Sequence, residues 1–275
     1  MSIHVNDSGT WKLADQIYVN NGSWVEPQEV YINEGGVWKI VYKTLVISAS
    51  SQNLNLYTLA GSPSDSLRLR VSINPGVTLS SSTPGSPALT ISGFATNSNI
   101  LLINNGTIAG AGGAGGRGTN WNANTGTNGG GGGTALLTRN QLVVQNNGTI
   151  AGGGGGGGGG GWLTGTGGSG KSTFTIQAAG SGGGGGAGIN AGGGGGIGSG
   201  SANTTPTAGQ PGTSTAGGAG GTTSSPGGNG GARGSGGGNG TGNSARTGGA
   251  AGLYADGGSY ITWSTTGTRL GGTAN

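Results

Sequence analysis

The stretch Leu142-Val143-Val144-Gln145-Asn146-Asn147-Gly148-Thr149-Ile150-Ala151 runs straight into ten consecutive glycines, Gly152–Gly161, before Trp162 interrupts them. An α-helix is excluded over those glycines, because each costs about 1 kcal/mol relative to alanine. A polyproline-II-type helix, with three residues per turn and a rise of about 3.1 Å, accepts them. Alone it has no internal hydrogen bonds. Laid side by side, helices without side chains come close enough for the N–H of one to meet the C=O of the next, so that no buried backbone group is left unpaired. Outward-facing positions then tolerate Ala, Ser, Asn or Arg, as in Gly227-Gly228-Asn229-Gly230-Gly231-Ala232-Arg233-Gly234. Entropy opposes this arrangement, since glycine loses more freedom on ordering than any other residue. A flexible spacer is the competing reading.

Upstream, Ile100-Leu101-Leu102-Ile103-Asn104-Asn105-Gly106-Thr107-Ile108-Ala109-Gly110 echoes Leu142–Gly152 closely. Each segment is a strand, an Asn-Asn-Gly turn and the start of a glycine run, which suggests successive coils of a solenoid-like stack. Of the 74 glycines, only 8 lie in residues 1–105 and 66 in residues 106–275. Residues 44–105 read as a short-strand β domain, with runs such as the alternating Leu67-Arg68-Leu69-Arg70-Val71-Ser72-Ile73 between turn clusters.

Residues 1–43 carry a threefold repeat in which Trp11, Trp24 and Trp38 each follow a strand and an Asn/Gly turn. This predicts three β-hairpins. One hairpin is marginal alone, and the regular place of tryptophan argues for a small shared core over a sugar-stacking role. The expected fold is therefore an all-β N-terminal part, hairpin repeats plus a short-strand β region, followed over 106–275 by a polyglycine-II bundle, with essentially no α-helix. The hairpins at 1–43 are expected to be an attachment module.

If consecutive glycine runs are antiparallel neighbours, their connections alternate between the two ends of the bundle. The long connections 119–128, 162–179, 201–216 and 239–247 then share one end. The strand return 134–150 and the short links 189–190 and 222–226 fall at the other. A random spacer has no reason to sort long from short. The candidate contact residues follow: Asn120, Trp121, Asn122 and Asn124; Trp162, Lys171 and Phe174; Thr204 and Pro206; Asn243 and Arg246. Trp121 between two asparagines suits stacking on a sugar or an apolar receptor tip with amides alongside. Arg246 with Asn243 suits a phosphate or carboxylate. Covering the bundle end is the alternative for Trp162 and Phe174.

Other chemistry is poorly served. Residues 106–275 hold six cations against the single acid Asp256, a sparse positive balance that suits an anionic partner such as lipopolysaccharide or serves solubility alone. No basic run neutralises many phosphates, so nucleic acid is not expected. Gly165-Thr166-Gly167-Gly168-Ser169-Gly170-Lys171-Ser172 satisfies a P-loop pattern, but ten glycines precede it and the strand-like Thr173-Phe174-Thr175-Ile176 follows, where a phosphate site needs a helix. His4 is the lone histidine and no cysteine is present. No catalytic constellation, metal site or cofactor is expected. No apolar stretch approaches a membrane span, so membrane insertion is not expected. The N-terminus lacks a secretory signal, so synthesis in a host cytoplasm and assembly into a virion are expected.

The glycine runs, the Asn-Asn-Gly-Thr-Ile-Ala-Gly segments leading into them and the interleaved polar loops resemble the receptor-binding adhesins that cap the long tail fibres of some T-even phages, over about residues 100–275. The ending Tyr260-Ile261-Thr262-Trp263-Ser264-Thr265-Thr266-Gly267-Thr268-Arg269-Leu270-Gly271 looks like the close of glycine-rich phage tail proteins. The resemblance implies a sandwich of polyglycine-II helices with variable distal loops that choose a host receptor, an outer-membrane protein or lipopolysaccharide, and a tail or tail-fibre partner, expected at the N-terminal region. Residues 1–99 depart from that pattern. A structural tail component without receptor contact is the second reading. An ice-binding protein, which would need a flat Thr/Ala face that these irregular loops do not provide, is the third.

Overall fold

The computed structural model describes residues 4–7, 10–13, 19–20, 22–169, 172–200, 204–223 and 225–275. They are nearly all β and extended chain. One α-helical turn, α1 (Leu56–Leu59), and one 3-10 turn, Gly258–Tyr260, are the helical elements among them.

Three antiparallel hairpins come first: β1 (His4–Asp7) with β2 (Thr10–Leu13), β3 (Val19–Asn20) with β4 (Trp24–Val25), and β5 (Glu29–Glu34) with β6 (Val37–Ile47). Each sets an asparagine opposite its tryptophan: Asn6 and Trp11, Asn20 and Trp24, Asn33 and Trp38. The expected tryptophan core is overturned at Trp38, which is 68% exposed. The side chains of Trp11 and Trp24 lie outside the described residues. The physical reason is the course of β6. Its first half pairs with β5 as a projecting two-stranded ribbon, while its second half turns inward, where Val41 and Tyr42 are buried. The Glu26 carboxylate accepts from Tyr42 Oη and lies 3.7 Å from Arg70 Nε, tying the ribbon's base to the next element.

From Tyr42 the chain winds into a three-sided parallel solenoid. The first coil combines the end of β6 with β7 (Ser51–Gln52) and β8 (Leu54–Asn55). The next is β9 (Arg68–Ile73), β10 (Thr78–Ser80) and β11 (Leu89–Ile91). The third is β12 (Asn99–Asn104), β13 (Thr107–Ala109) and β14 (Leu136–Thr138). Next come β15 (Leu142–Asn146) and β16 (Thr149–Ala151). The hairpin β17 (Leu163–Ser169) and β18 (Ser172–Ala178) stands apart. Then β19 (Leu253–Asp256) completes the fourth coil, and β20 (Ile261–Thr265), β21 (Thr268–Leu270) and β22 (Gly272–Ala274) form the last. One sheet stacks β6-β9-β12-β15-β20, a second β7-β10-β13-β16-β21, and a third β8-β11-β14-β19-β22.

Alternation along each strand sends one set of side chains inward. In β9, Leu69, Val71 and Ile73 are fully buried while Arg68, Arg70 and Ser72 face out. Parallel register stacks the inward residues into ladders: Leu45-Val71-Leu102-Val144-Trp263, Leu79-Ile108-Ile150 and Leu89-Leu136. Burying each large aliphatic contributes about 1.5–3 kcal/mol. Two ladders end in something else. Asn104 and Asn146 continue the line of Ile47 and Ile73, and Arg269 stacks on Ile150. The expected boundary at 105/106 is therefore corrected, because strands from 107–109, 136–138, 142–151 and 253–274 share sheets with those of 42–104. The repeat disclosed the strand at Leu142–Asn146, while glycine-rich composition hid the shorter ones, since a three-residue strand needs only one or two inward apolar residues.

The chain leaves the second sheet after Ala109 and again after Ala151, returning to the third sheet at Leu136 and Leu253. Between these points it forms parallel and antiparallel rods over 110–118, 127–133, 152–161, 180–188, 191–199, 207–213, 217–222, 226–233, 235–241 and 245–252. Hydrogen bonds between rods recur every third residue: Gly113, Gly116 and Thr119 donate to Gly154, Gly157 and Gly160, at 2.8–2.9 Å. Three residues is the repeat of polyproline-II-type helices. The rod 152–161 is buried along its whole length. Its successive N–H groups take turns: Gly156 donates to Gly130, Gly157 to Gly184 and Gly158 to Gly238. A Cβ on Gly156 would stand 1.9 Å from the Ala114 carbonyl oxygen, and its neighbours meet similar walls. The uninterrupted glycine run follows from a rod surrounded by other backbones.

The expected loop arrangement needs two corrections. Residues 207–213 are themselves a rod, so 201–216 is not one loop. Gly234, at φ 69°, turns the chain within 227–238 and makes two rods of it. Ser225, in the segment expected at the solenoid end, consequently lies at the end away from the solenoid, where it donates to the Thr241 carbonyl.

Candidate functional site

The end of the rods away from the solenoid gathers several connections. Residues 119–126 form the first, and the hairpin β17–β18 projects beside them. Gly200, Thr204, the residues flanking position 224 and the turn at 242–244 complete the surface among the described residues. Trp162 and Asn243 exchange backbone hydrogen bonds at 2.9 and 3.0 Å, joining the base of the hairpin to the last turn.

Rods offer little side-chain packing to a loop standing on them, so the loop carrying Trp121 is held by polar contacts. Arg117 and Thr127 pair across its base through backbone and side chain. Trp121 N donates to the Ser199 carbonyl at 2.8 Å, and Ser199 N donates to Asn120 Oδ1 at 2.9 Å. Thr119, fully buried, donates from Oγ1 to the Ser244 carbonyl at 3.3 Å. Asn122 sits at φ 54°, a conformation asparagine adopts readily. It is exposed, as is Asn124, while the Trp121 side chain is half-buried. Two buried donors there, Trp121 Nε1 and Arg246 Nε, have no acceptor among the described residues.

The structure thus brings Asn120, Trp121, Asn122, Asn124, Trp162, Asn243 and Arg246 to one end. Thr204 is half-buried, and Pro206 is buried rather than displayed, because it leads into the rod that starts at Thr207, whose carbonyl accepts from Gly182. Lys171 lies outside the described residues. Phe174 is opposite Gly167 in the β17–β18 register, and its side chain is likewise outside them. Of the P-loop-like segment, Gly165–Ser169 and Ser172 lie on the strands of this hairpin rather than before a helix. Sequence reasoning passed over Arg117, Thr119, Ser199 and Ser244, which brace the loop. Arg117 and Thr119 stand at the border of a glycine run, and the spacing of three between Arg117 and Asn120 was the available signal.

The surface is electropositive where it is charged at all. No aspartate or glutamate occurs between residues 106 and 255. Among the described residues no cluster of three or more His, Cys, Asp or Glu is able to hold a metal ion, and no helix is long and apolar enough to cross a membrane.

Comparison with known proteins agrees with this architecture. The sequence model of the family described as phage tail fibre adhesin Gp38 matches residues 42–274. Among solved structures, the gp37-gp38 adhesin tip complex of the bacteriophage S16 long tail fiber contains a similar chain, 26% identical, with a TM-score of 0.57 over 84% of this chain and 82% of that one. No curated protein matches the sequence.

Proposed function

As a member of the phage tail fibre adhesin Gp38 family, this chain is a receptor-binding component of the virion's tail-fibre tip, and we propose that it reads its receptor with the connections at the far end of the glycine rods. The supporting observation is their convergence: Trp121, Asn122, Asn124 and Asn243 stand together on a stiff block at the end opposite the solenoid. Preformed surfaces of aromatic and amide groups bind with little ordering cost. The ligand is an outer-membrane protein or lipopolysaccharide, bound without a chemical step. Trp162, Lys171, Phe174 and Thr204 belong to the same connections.

The tail-fibre partner is proposed to sit at the N-terminal hairpins. Tyr31 and Trp38, which the register puts on one face of β5–β6, are both exposed and make that face apolar, of the kind that marks protein contact. Most of these hairpins, residues 1–41, precede the segment matched by the family. Synthesis in the host cytoplasm, followed by assembly onto the fibre, is consistent with that arrangement. Exchanging 119–126, 162–179, 200–206 and 242–244 between related phages is expected to transfer host range. Host range that followed residues 1–99 instead would reverse the assignment of roles.

A further inference from the structure

The loop bearing Trp121 is gripped at both flanks by arginines that come from different parts of the chain. Arg117, on the rod that rises into the loop, donates from Nη2 to Asn120 Oδ1 at 3.2 Å and from Nε to the Ile197 carbonyl at 3.4 Å. Arg246, 122 residues away from Asn124 in sequence, donates from Nη2 to the Asn124 carbonyl at 3.0 Å and also to Asn124 Oδ1. Its own backbone is fixed in the bundle, donating to the Gly159 carbonyl and accepting from Gly240 N, both at 2.9 Å. The indole therefore lies between two clamped asparagines.

Guanidinium suits this task. Its rigid fork serves more than one acceptor at once, and bonds from a charged donor are roughly twice as strong as neutral ones. Lysine offers a point charge on a flexible stem. Each guanidinium already serves two acceptors, and Arg246 Nε, though unpaired, is buried as well.

We propose that Arg117 and Arg246 are positioning residues that hold 120–124 in one conformation before contact, so that the receptor meets a preformed surface around Trp121 and Asn122 and not the two guanidinium charges. This inference rests on the receptor-binding reading above and assigns Arg246 a role different from contact with phosphate or carboxylate. It narrows recognition to apolar and neutral polar chemistry.

The test uses the full-length protein and the variants Arg246→Ala, Arg246→Lys, Arg117→Ala, Asn124→Ala and the double variant Arg246→Ala/Asn124→Ala. Amide hydrogen exchange over 119–126 is measured alongside adsorption of labelled protein to a susceptible bacterial strain at low and high salt. Arg246→Ala and Arg117→Ala are each expected to accelerate exchange in the loop and to weaken adsorption about tenfold. Asn124→Ala, which removes one of two acceptors, should do less, and the double variant should be no worse than Arg246→Ala. Lysine should not rescue, and the salt dependence of adsorption should match wild type. Rescue by Arg246→Lys, or a steep salt dependence that Arg246→Ala flattens, overturns the proposal in favour of direct anion contact. Unchanged exchange in 119–126 overturns it too. If Trp121→Ala adsorbs normally while exchange behaves as expected, the clamp stands and this loop's part in receptor binding falls.

Discussion

Asn104 donates from Nδ2 to Asn146 Oδ1 at 2.7 Å, linking two coils of the solenoid at a corner where both residues are buried. Asn146 passes the chain on, donating to the Thr266 carbonyl at 2.9 Å in the next coil. Removing the middle amide strands a buried partner on each side. Asn146→Ala is expected to destabilise the protein by about 1–3 kcal/mol, measured by thermal or denaturant unfolding. Asn105 and Asn147 repeat the pairing at an exposed position, and Asn147→Ala should lose much less.

The rods provide a sharper comparison. A Cβ at Gly156 collides with the Ala114 carbonyl oxygen, whereas a Cβ at Gly193 or Gly196 meets nothing within 4 Å. Gly156→Ala should cost at least about 3 kcal/mol and abolish slow amide exchange across the central rod. Gly193→Ala should be neutral or stabilise by up to about 1 kcal/mol through the unfolded chain. Equal tolerance at both positions would mean that the rods are not packed as described.

Arg269 occupies an inward position of the last coil, its guanidinium carbon 4.7 Å from the centre of the Trp263 ring and 5.4 Å from that of Tyr254. The cation covers the end of the apolar ladders. Arg269→Ala is expected to lower stability by about 1–2 kcal/mol, while Arg269→Lys retains part of it. Unfolding curves of the two variants check this.

Acid should loosen one region selectively. Hydrogen bonds from Lys43 and Tyr31 hold the Glu29 carboxyl below its ordinary range, and Lys39 does the same for Glu34. A carboxylate whose folded pKa is depressed adds stability above its unfolded value, and that contribution disappears as pH falls through the folded one. Both pairs are solvent-exposed, so the effect is modest. Below about pH 4, exchange should quicken in β5–β6 while the rods, which carry no carboxylate side chain, stay protected.

Much of this was legible in the residues. The echo between Ile100–Gly110 and Leu142–Gly152 reappears as register, Ile100 beside Leu142 and Ile108 beside Ile150. Gly152–Gly161 announced a rod enclosed by backbone. Less legible was the rod 207–213, because an outer rod needs glycine only where it faces a neighbour. Gly209 and Gly212, three apart, meet that need, and Gln210 and Pro211 conceal it. Trp38 misled for a different reason: repetition of an aromatic shows a common structural position but not that its face is covered. The Arg246 side of the bracing of Trp121 was invisible, since Arg246 and Asn124 are brought together only by the packing of rods distant in sequence.

Both glycine excursions begin at Ala109 or Ala151 and end at Leu136 or Leu253, on one edge shared by two sheets. Their four junctions therefore lie side by side on adjacent coils, and the excursions are bonded to each other, as Gly113 is to Gly154. For the phage genome this makes them a linked pair of cassettes. Recombination that imports one without the other is expected to deliver mismatched rods, whereas moving both keeps the bonds between them on an unchanged mount.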